Sequence, residues 1–261
     1  MNRDQITKSA TLLWETWMQS ELIDALPEDS RPADRSQGYA IQAEVARLSG
    51  QPRFGWKIAA TSTEGQKHIG VDGPLAGRLL ANRVMASGSK LTLGQNLMKV
   101  AEAEFAFRMA RPLTPRKAVY EMKEVLAAVD TLHPAIEIPD SRYSDFAKVG
   151  AAQLIADNAC ACWFVLGDET SANWRERDLS RHAVTAWRNG ELAAEGTGAN
   201  VLGDPRIALT WIANELSAQG IGLNAGEVVT TGTCVLPQAI APGDTIRADY
   251  GDFGTVTVEI A

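Results

Sequence analysis

Cysteine and histidine are scarce in this chain, three of each among 261 residues. Three cysteines cannot build a disulfide framework, and Cys160 and Cys162, two apart in an apolar run, would point to opposite faces of a strand. Buried, reduced thiols are expected. The histidines (His68, His133, His182) are too scattered for a zinc site. His133, before a proline, reads as structural and His182, in a polar stretch, as solvated. Basic residues are also few, 25 Lys and Arg against 32 Asp and Glu, and the net charge of -7 excludes a phosphate-backbone binder. No apolar run reaches the roughly 18 residues of a membrane span. The polar start Met1 to Gln5 is not a secretory signal, so a cytoplasmic address is expected. Neither a G-x-S-x-G elbow, a phosphate-binding G-x-x-x-x-G-K-[ST] loop nor H-E-x-x-H occurs.

Apolar residues make up 45% of the chain and charged residues 22%, which is the balance of a folded domain rather than a disordered one. Residues 4–26 carry a helical stripe (Ile6, Leu12, Leu13, Trp17, Leu22), and residues 36–48 carry another (Ile41, Val45, Leu48). From Phe54 the texture turns to short strands. Residues 67–82, with three glycines, read as a mobile cover. Residues 100–109, 132–138 and 159–166 read as strands, and 115–129 as a helix begun by Pro115. Asn189-Gly190 between alternating runs signals a hairpin. Asp204-Pro205 opens a helix that Gly220 stops. Strands at 228–231, 245–250 and 255–260 complete the pattern. The organisation expected is a helical N-terminal segment, residues 1–50, against a mixed β-rich domain, residues 51–261, an α+β chain. Trp14, Trp17 and Trp174 are candidates for exposed surface that would favour self-association.

The informative segment is Lys99-Val100-Ala101-Glu102-Ala103-Glu104-Phe105-Ala106-Phe107. Strand alternation puts Glu102 and Glu104 on one face, about 7 Å apart, with Ala103 and Phe105 on the other. A solvated strand face would explain them, but the neighbours are small or apolar. A third acid, Glu137, stands between Ile136 and Ile138, where a carboxylate is costly unless paired or metal-bound. Three carboxylates without a lysine cluster suit a hard divalent ion. Lys57, within Phe54-Gly55-Trp56-Lys57-Ile58-Ala59, is either a snorkelling lysine or an acid/base group beside those acids.

On these residues the chain resembles the 2-oxopent-4-enoate hydratase / 4-oxalocrotonate decarboxylase family of the fumarylacetoacetase superfamily. The matching pieces run in order: Lys57-Ile58-Ala59-Ala60-Thr61-Ser62, Gly70-Val71-Asp72, Glu102-x-Glu104, Arg111-Pro112-Leu113, Glu137-Ile138-x-Asp140-Ser141-Arg142, Ala156-Asp157-Asn158-Ala159, Gly232-Thr233, and Gly243-Asp244 with Tyr250-Gly251. The resemblance implies a mixed β-roll core. It also implies Mg²⁺ or Mn²⁺ on Glu102, Glu104 and Glu137, and Lys57 beside a small 2-oxo acid substrate. Thr61, Ser62, Gly232 and Thr233 would hydrogen-bond that substrate. Such an ion polarises the 2-oxo group and stabilises the enolate formed by proton movement or loss of CO₂. A lyase of aromatic catabolism working as a homo-oligomer is the expectation. Hydratase is the first reading, decarboxylase the alternative, and a non-catalytic partner subunit a third.

One departure bears on the reaction. Hydratases of the family often carry P-D-[FY]-G in the cover, where this chain reads Pro74-Leu75-Ala76-Gly77. Leu75 removes a candidate proton shuttle, which weakens hydration relative to decarboxylation and leaves His68 or Glu64 to act in its place.

Overall fold

A capping box opens the first helix: Asn2 Oδ1 accepts from the Gln5 N–H and Gln5 Oε1 from the Asn2 N–H, each at 2.9 Å. The computed structural model describes residues 1–261. Helix α1 (Arg3–Gln19) stops where Ser20 turns left-handed, not at residue 26. The apolar stripe continues past the stop because Ile23 leaves the helix to bridge Tyr143. Helix α2 (Arg35–Ser49) starts on Asp34 and ends at Gly50, and both helices share a small core of Leu13, Leu26, Ile41 and Val45.

The remaining elements follow in chain order. They are β1 (Arg53–Ala59), α3 (Thr63–His68), β2 (Leu75–Leu80), β3 (Val84–Ala86), β4 (Ser89–Leu91), β5 (Val100–Met109), α4 (Met122–Ala127), β6 (Val129–Ile138), α5 (Ala151–Ala156) and β7 (Trp163–Leu166). Then come β8 (Ala183–Arg188), β9 (Glu191–Thr197), α6 (Pro205–Ala218), β10 (Val228–Thr233), β11 (Gln238–Ala239), β12 (Thr245–Asp249) and β13 (Thr255–Ile260). One sheet runs β2-β1-β10-β5-β6-β7-β3, with β11 added to β5; the second runs β4-β13-β12-β8-β9. This is the mixed β-roll architecture of an α+β chain.

The sheet order positions the site. Four central strands, β1, β10, β5 and β6, put Lys57, Thr230, Glu104 and Glu102 with Glu137 along one face. The opposite face of β5 carries Phe105, which meets Tyr250 edge-on at 5.1 Å and Phe253 at 6.5 Å from the second sheet. Apolar packing therefore fixes one face of β5 and leaves its carboxylates on the other.

Several expectations are corrected. Residues 75–80 are not a mobile cover but a strand buried at every position. A strand buried on both faces has no alternation to betray it. The helix expected from Pro115 to Val129 shrinks to α4, because Leu113 bridges Leu223 and Asn214 fixes the backbone of Tyr120. The strand expected at 159–166 begins only at Trp163, since Asn158, Ala159 and Cys160 all adopt left-handed φ (57°, 48° and 61°). Trp174 is buried against Phe107, and Trp14 and Trp17 are half-buried, which removes them as exposed association surface. His182 is not solvated: it stacks on Phe253 at 3.9 Å, and its Nε2 donates to the Tyr250 carbonyl at 2.6 Å.

Candidate active site

Glu102 and Glu137 are direct partners in the β5–β6 ladder, and Glu104 is one pleat further along the same face. One oxygen from each of the three carboxylates lies within 4.8 Å of the others. Glu104 and Glu137 are fully buried, whereas Glu102 is half-buried in a cavity wall. Glu104 Oε2 accepts from the Thr230 hydroxyl and, at 2.9 Å, from the Gly232 N–H. Its Oε1 and both oxygens of Glu137 accept no hydrogen bond from the protein.

Lys57 Nζ lies 3.0 Å from Glu137 Oε1. That approach is an ion pair by distance without hydrogen-bond alignment; the ammonium donates instead to the Ala159 carbonyl at 3.0 Å. The left-handed run at 158–160 aims this carbonyl. Asn158 anchors the run by pairing its amide with the Arg78 backbone, at 2.7 and 2.8 Å. Asp157 anchors it by taking the buried Arg142 guanidinium and, at 2.9 Å, the Ser141 hydroxyl. The motif pieces Asp140-Ser141-Arg142 and Ala156-Asp157-Asn158-Ala159 thus close on each other. Gly77 faces Lys57 across β2, where a Cβ would stand 2.2 Å from the Asn158 carbonyl and 3.2 Å from Lys57 Cδ.

Burial governs the protonation of these groups. It raises Glu104, with help from the charge of Glu102, to about 7. It also raises Glu102, against the pull of Lys57. Glu137 is raised well above the usual carboxylate range, chiefly by burial, with Lys57 opposing and the other two acids adding. Burial disfavours the Lys57 ammonium, but Glu137, Glu102 and Glu104 outweigh it and hold the lysine above its ordinary range. Three crowded carboxylates with three orphaned oxygens are costly in a buried setting. An all-oxygen set of this kind fits a hard divalent cation such as Mg²⁺ or Mn²⁺ rather than a soft thiophilic one.

A cavity of about 850 Å³ opens over this face. Lys57, Glu102, Thr61, Ser62, His68, Gly232 and Thr233 all line it. Sequence-predicted residues from five separate segments therefore meet in one place, with Glu104 and Glu137 beneath the wall. Their hydroxyls are not equally free. Ser62 Oγ caps α3 by accepting from the Gly65 N–H at 3.0 Å, and the Thr233 hydroxyl donates to the Val235 carbonyl at 2.7 Å. Thr61 is pressed against Gly232, whose φ of +102° and missing Cβ allow the contact; a Cβ there would be 2.0 Å from Thr61 Oγ1. The Gly232 N–H is already committed to Glu104. His68 ends α3 at the exposed rim, edge-on to Phe146 at 6.1 Å.

Sequence reasoning missed Thr230 and the Ala159 carbonyl. The first looks like any strand threonine, and the second is a backbone atom aimed by an improbable turn. Leu75 pairs with Ala59 on the Lys57 face of the sheet, but it is fully buried in the main core and absent from the cavity wall. Cys160 reaches the wall, where burial, with the Asp157 charge adding, pushes its thiol up to about 12, so it is no nucleophile.

The chain belongs to the fumarylacetoacetate (FAA) hydrolase C-terminal family, whose model matches residues 79–261. It is 32% identical to a 2-keto-4-pentenoate hydratase of Burkholderia vietnamiensis over 97% of this chain and 96% of that one. It is 30% identical to a 4-oxalocrotonate decarboxylase of Pseudomonas putida over 98% and 97%. Among solved structures it is similar to the 4-oxalocrotonate decarboxylase of Pseudomonas putida G7 complexed with magnesium and adipate, at a TM-score of 0.90 and 28% identity, covering 100% of this chain and 99% of that one.

Proposed function

We propose that this chain is a divalent-metal-dependent lyase of aromatic catabolism that hydrates a 2-oxopent-4-enoate or its dienol. The observation that carries the reading is the trio Glu102, Glu104 and Glu137, gathered within 4.8 Å at the floor of a substrate-sized cavity beside Lys57. These three residues would hold Mg²⁺ or Mn²⁺, which supplies Lewis acidity toward a 2-oxo carboxylate.

The protein's own groups do the rest. Lys57 Nζ, tethered to Glu137 and to the Ala159 carbonyl, holds a proton at the cavity floor and is the acid/base group. Gly232 and Thr230 act through Glu104 by fixing its Oε2. Thr61 and Ser62 offer hydroxyls to the substrate. Thr233 can only accept, because its proton is spent on Val235. His68 and Glu64 stand on the wall and supply the second proton site in place of an acid at 75. Phe146, Ile69 and Leu236 screen the tail from water. Met18 in the last turn of α1 and Leu22 just after it, both exposed, support a homo-oligomer. Three unpaired thiols support a reducing, cytoplasmic setting.

Incubation with Mg²⁺ and 2-hydroxypenta-2,4-dienoate, followed by product NMR, is expected to give 4-hydroxy-2-oxopentanoate, and none in the presence of EDTA. The likeness to a 4-oxalocrotonate decarboxylase favours a second reading, decarboxylation, for which 2-oxohex-3-enedioate would release CO₂ instead. Turnover of neither compound by Mg²⁺-loaded protein would sink both.

A further inference from the structure

The cavity wall carries one lysine and no arginine. That lysine, Lys57, is buried at the floor and committed to Glu137 and the Ala159 carbonyl. Around it the wall holds three glutamates, Glu102, Glu64 and Glu195. Glu64 on α3 and Glu195 on β9 are exposed, and neither belongs to any ion pair of the chain. His68 is the remaining ionisable nitrogen on the wall. Charge therefore balances at the floor, where a divalent ion and Lys57 would face Glu102, Glu104 and Glu137. It does not balance further out, where Glu64 and Glu195 have no partner. The same wall also carries apolar side chains, Phe146, Leu202 and Leu236 among them.

We infer that this site accepts 2-oxo acids with an uncharged tail and rejects those that end in a second carboxylate, with Glu64 and Glu195 as the excluding charges. The inference rests on the reading that the 2-oxo end lies at the three-glutamate centre. A distal carboxylate would then give up hydration in the cavity without meeting a cation, and would face two like charges. Discrimination of this kind comes from a repulsive element rather than from a better fit. It separates a hydratase-type monocarboxylate from a decarboxylase-type dicarboxylate without reference to Leu75.

The test is calorimetric binding of 2-oxohexanoate and 2-oxohexanedioate, a pair equal in carbon count, to Mg²⁺-loaded protein and to protein in EDTA. The monocarboxylate is expected to bind about tenfold tighter, the size of ratio that two near-surface charges can supply. That ratio should shrink toward unity in the E64Q/E195Q variant, and also at high salt, where exposed charges are screened. Equal or tighter binding of the dicarboxylate overturns the inference while leaving the metal-centre reading intact. A ratio untouched by the double substitution overturns the assignment to Glu64 and Glu195. Failure of both acids to bind in a Mg²⁺-dependent way overturns the metal-centre reading, and the inference with it.

Discussion

Glu102 on β5 stands directly opposite Glu137 on β6, so two carboxylates occupy one cross-strand pair on a buried sheet face. Like charges placed this way destabilise a sheet. Glu104 adds a third acid one pleat away, and only Lys57 offsets them. The strands hold the arrangement because the reverse face of β5 is locked by Phe105 against Tyr250 and Phe253. The Tyr250 hydroxyl also donates to the Glu104 carbonyl at 2.8 Å. The fold thus stores repulsion at the site and offsets it elsewhere.

Glu102→Gln removes one member of the opposed pair without taking the ion-pair partner of Lys57. In EDTA above pH 7 its melting temperature is expected to rise by about 2–4 °C, as relief of roughly 1 kcal/mol would give in a chain of this size. Mg²⁺ should then stabilise the variant far less than the parent. A lower melting temperature in EDTA would contradict the stored repulsion.

Metal-free stability should fall with rising pH. The Glu104 carboxyl sits at about 7 in the folded protein against an ordinary value of 4.5, so the folded state keeps a proton that the unfolded chain has released. This contribution is complete below about pH 4.5 and is lost as pH rises through about 7. Thermal melts across that range are expected to show the loss in EDTA and its reversal with Mg²⁺. Calorimetry in buffers of different ionisation enthalpy should register proton release on Mg²⁺ binding near neutral pH.

Lys57→Met separates binding from chemistry. Turnover should drop by about 10²–10⁴, the usual contribution of a positioned proton donor. Mg²⁺ affinity should persist or tighten, because a neighbouring positive charge is gone. Loss of metal binding with turnover per bound metal unchanged would remove Lys57 from its proposed role.

Gly232→Ala should destabilise the protein by at least about 1 kcal/mol, since it forces a side chain into left-handed backbone and a Cβ onto Thr61. Pairing it with Thr61→Gly should recover part of the melting temperature, because the clash partner is removed. No recovery would show that the backbone strain, not the contact, dominates.

Much of this was legible in the sequence, for identifiable reasons. Glu102 and Glu104 announce a shared face through period-two spacing, Glu137 through its isoleucine flanks, and the Asn189-Gly190 hairpin through its turn residues. The family resemblance carried the order of pieces, and the alignment of the whole chain with its relatives agrees. What stayed hidden is tertiary. Strand β2 is buried on both faces and shows no alternation. The run Asn158-Ala159-Cys160 has no glycine to warn of three left-handed residues in a row. Glu195 reaches the cavity from a distant hairpin that no local pattern connects to it. Leu75, read from the sequence as a gap in a mobile cover, is a core residue of a buried strand.

The central claim is that Glu102, Glu104 and Glu137 hold the ion on which a 2-oxo acid reacts. Anomalous diffraction from crystals grown with Mn²⁺ and 2-oxopentanoate tests it most directly. The account predicts a single manganese peak among the three carboxylates, with the 2-oxo acid chelated to it and its tail toward Phe146 and Leu236. Manganese bound elsewhere, or a 2-oxo acid seated in the cavity without contact to the metal, would contradict it.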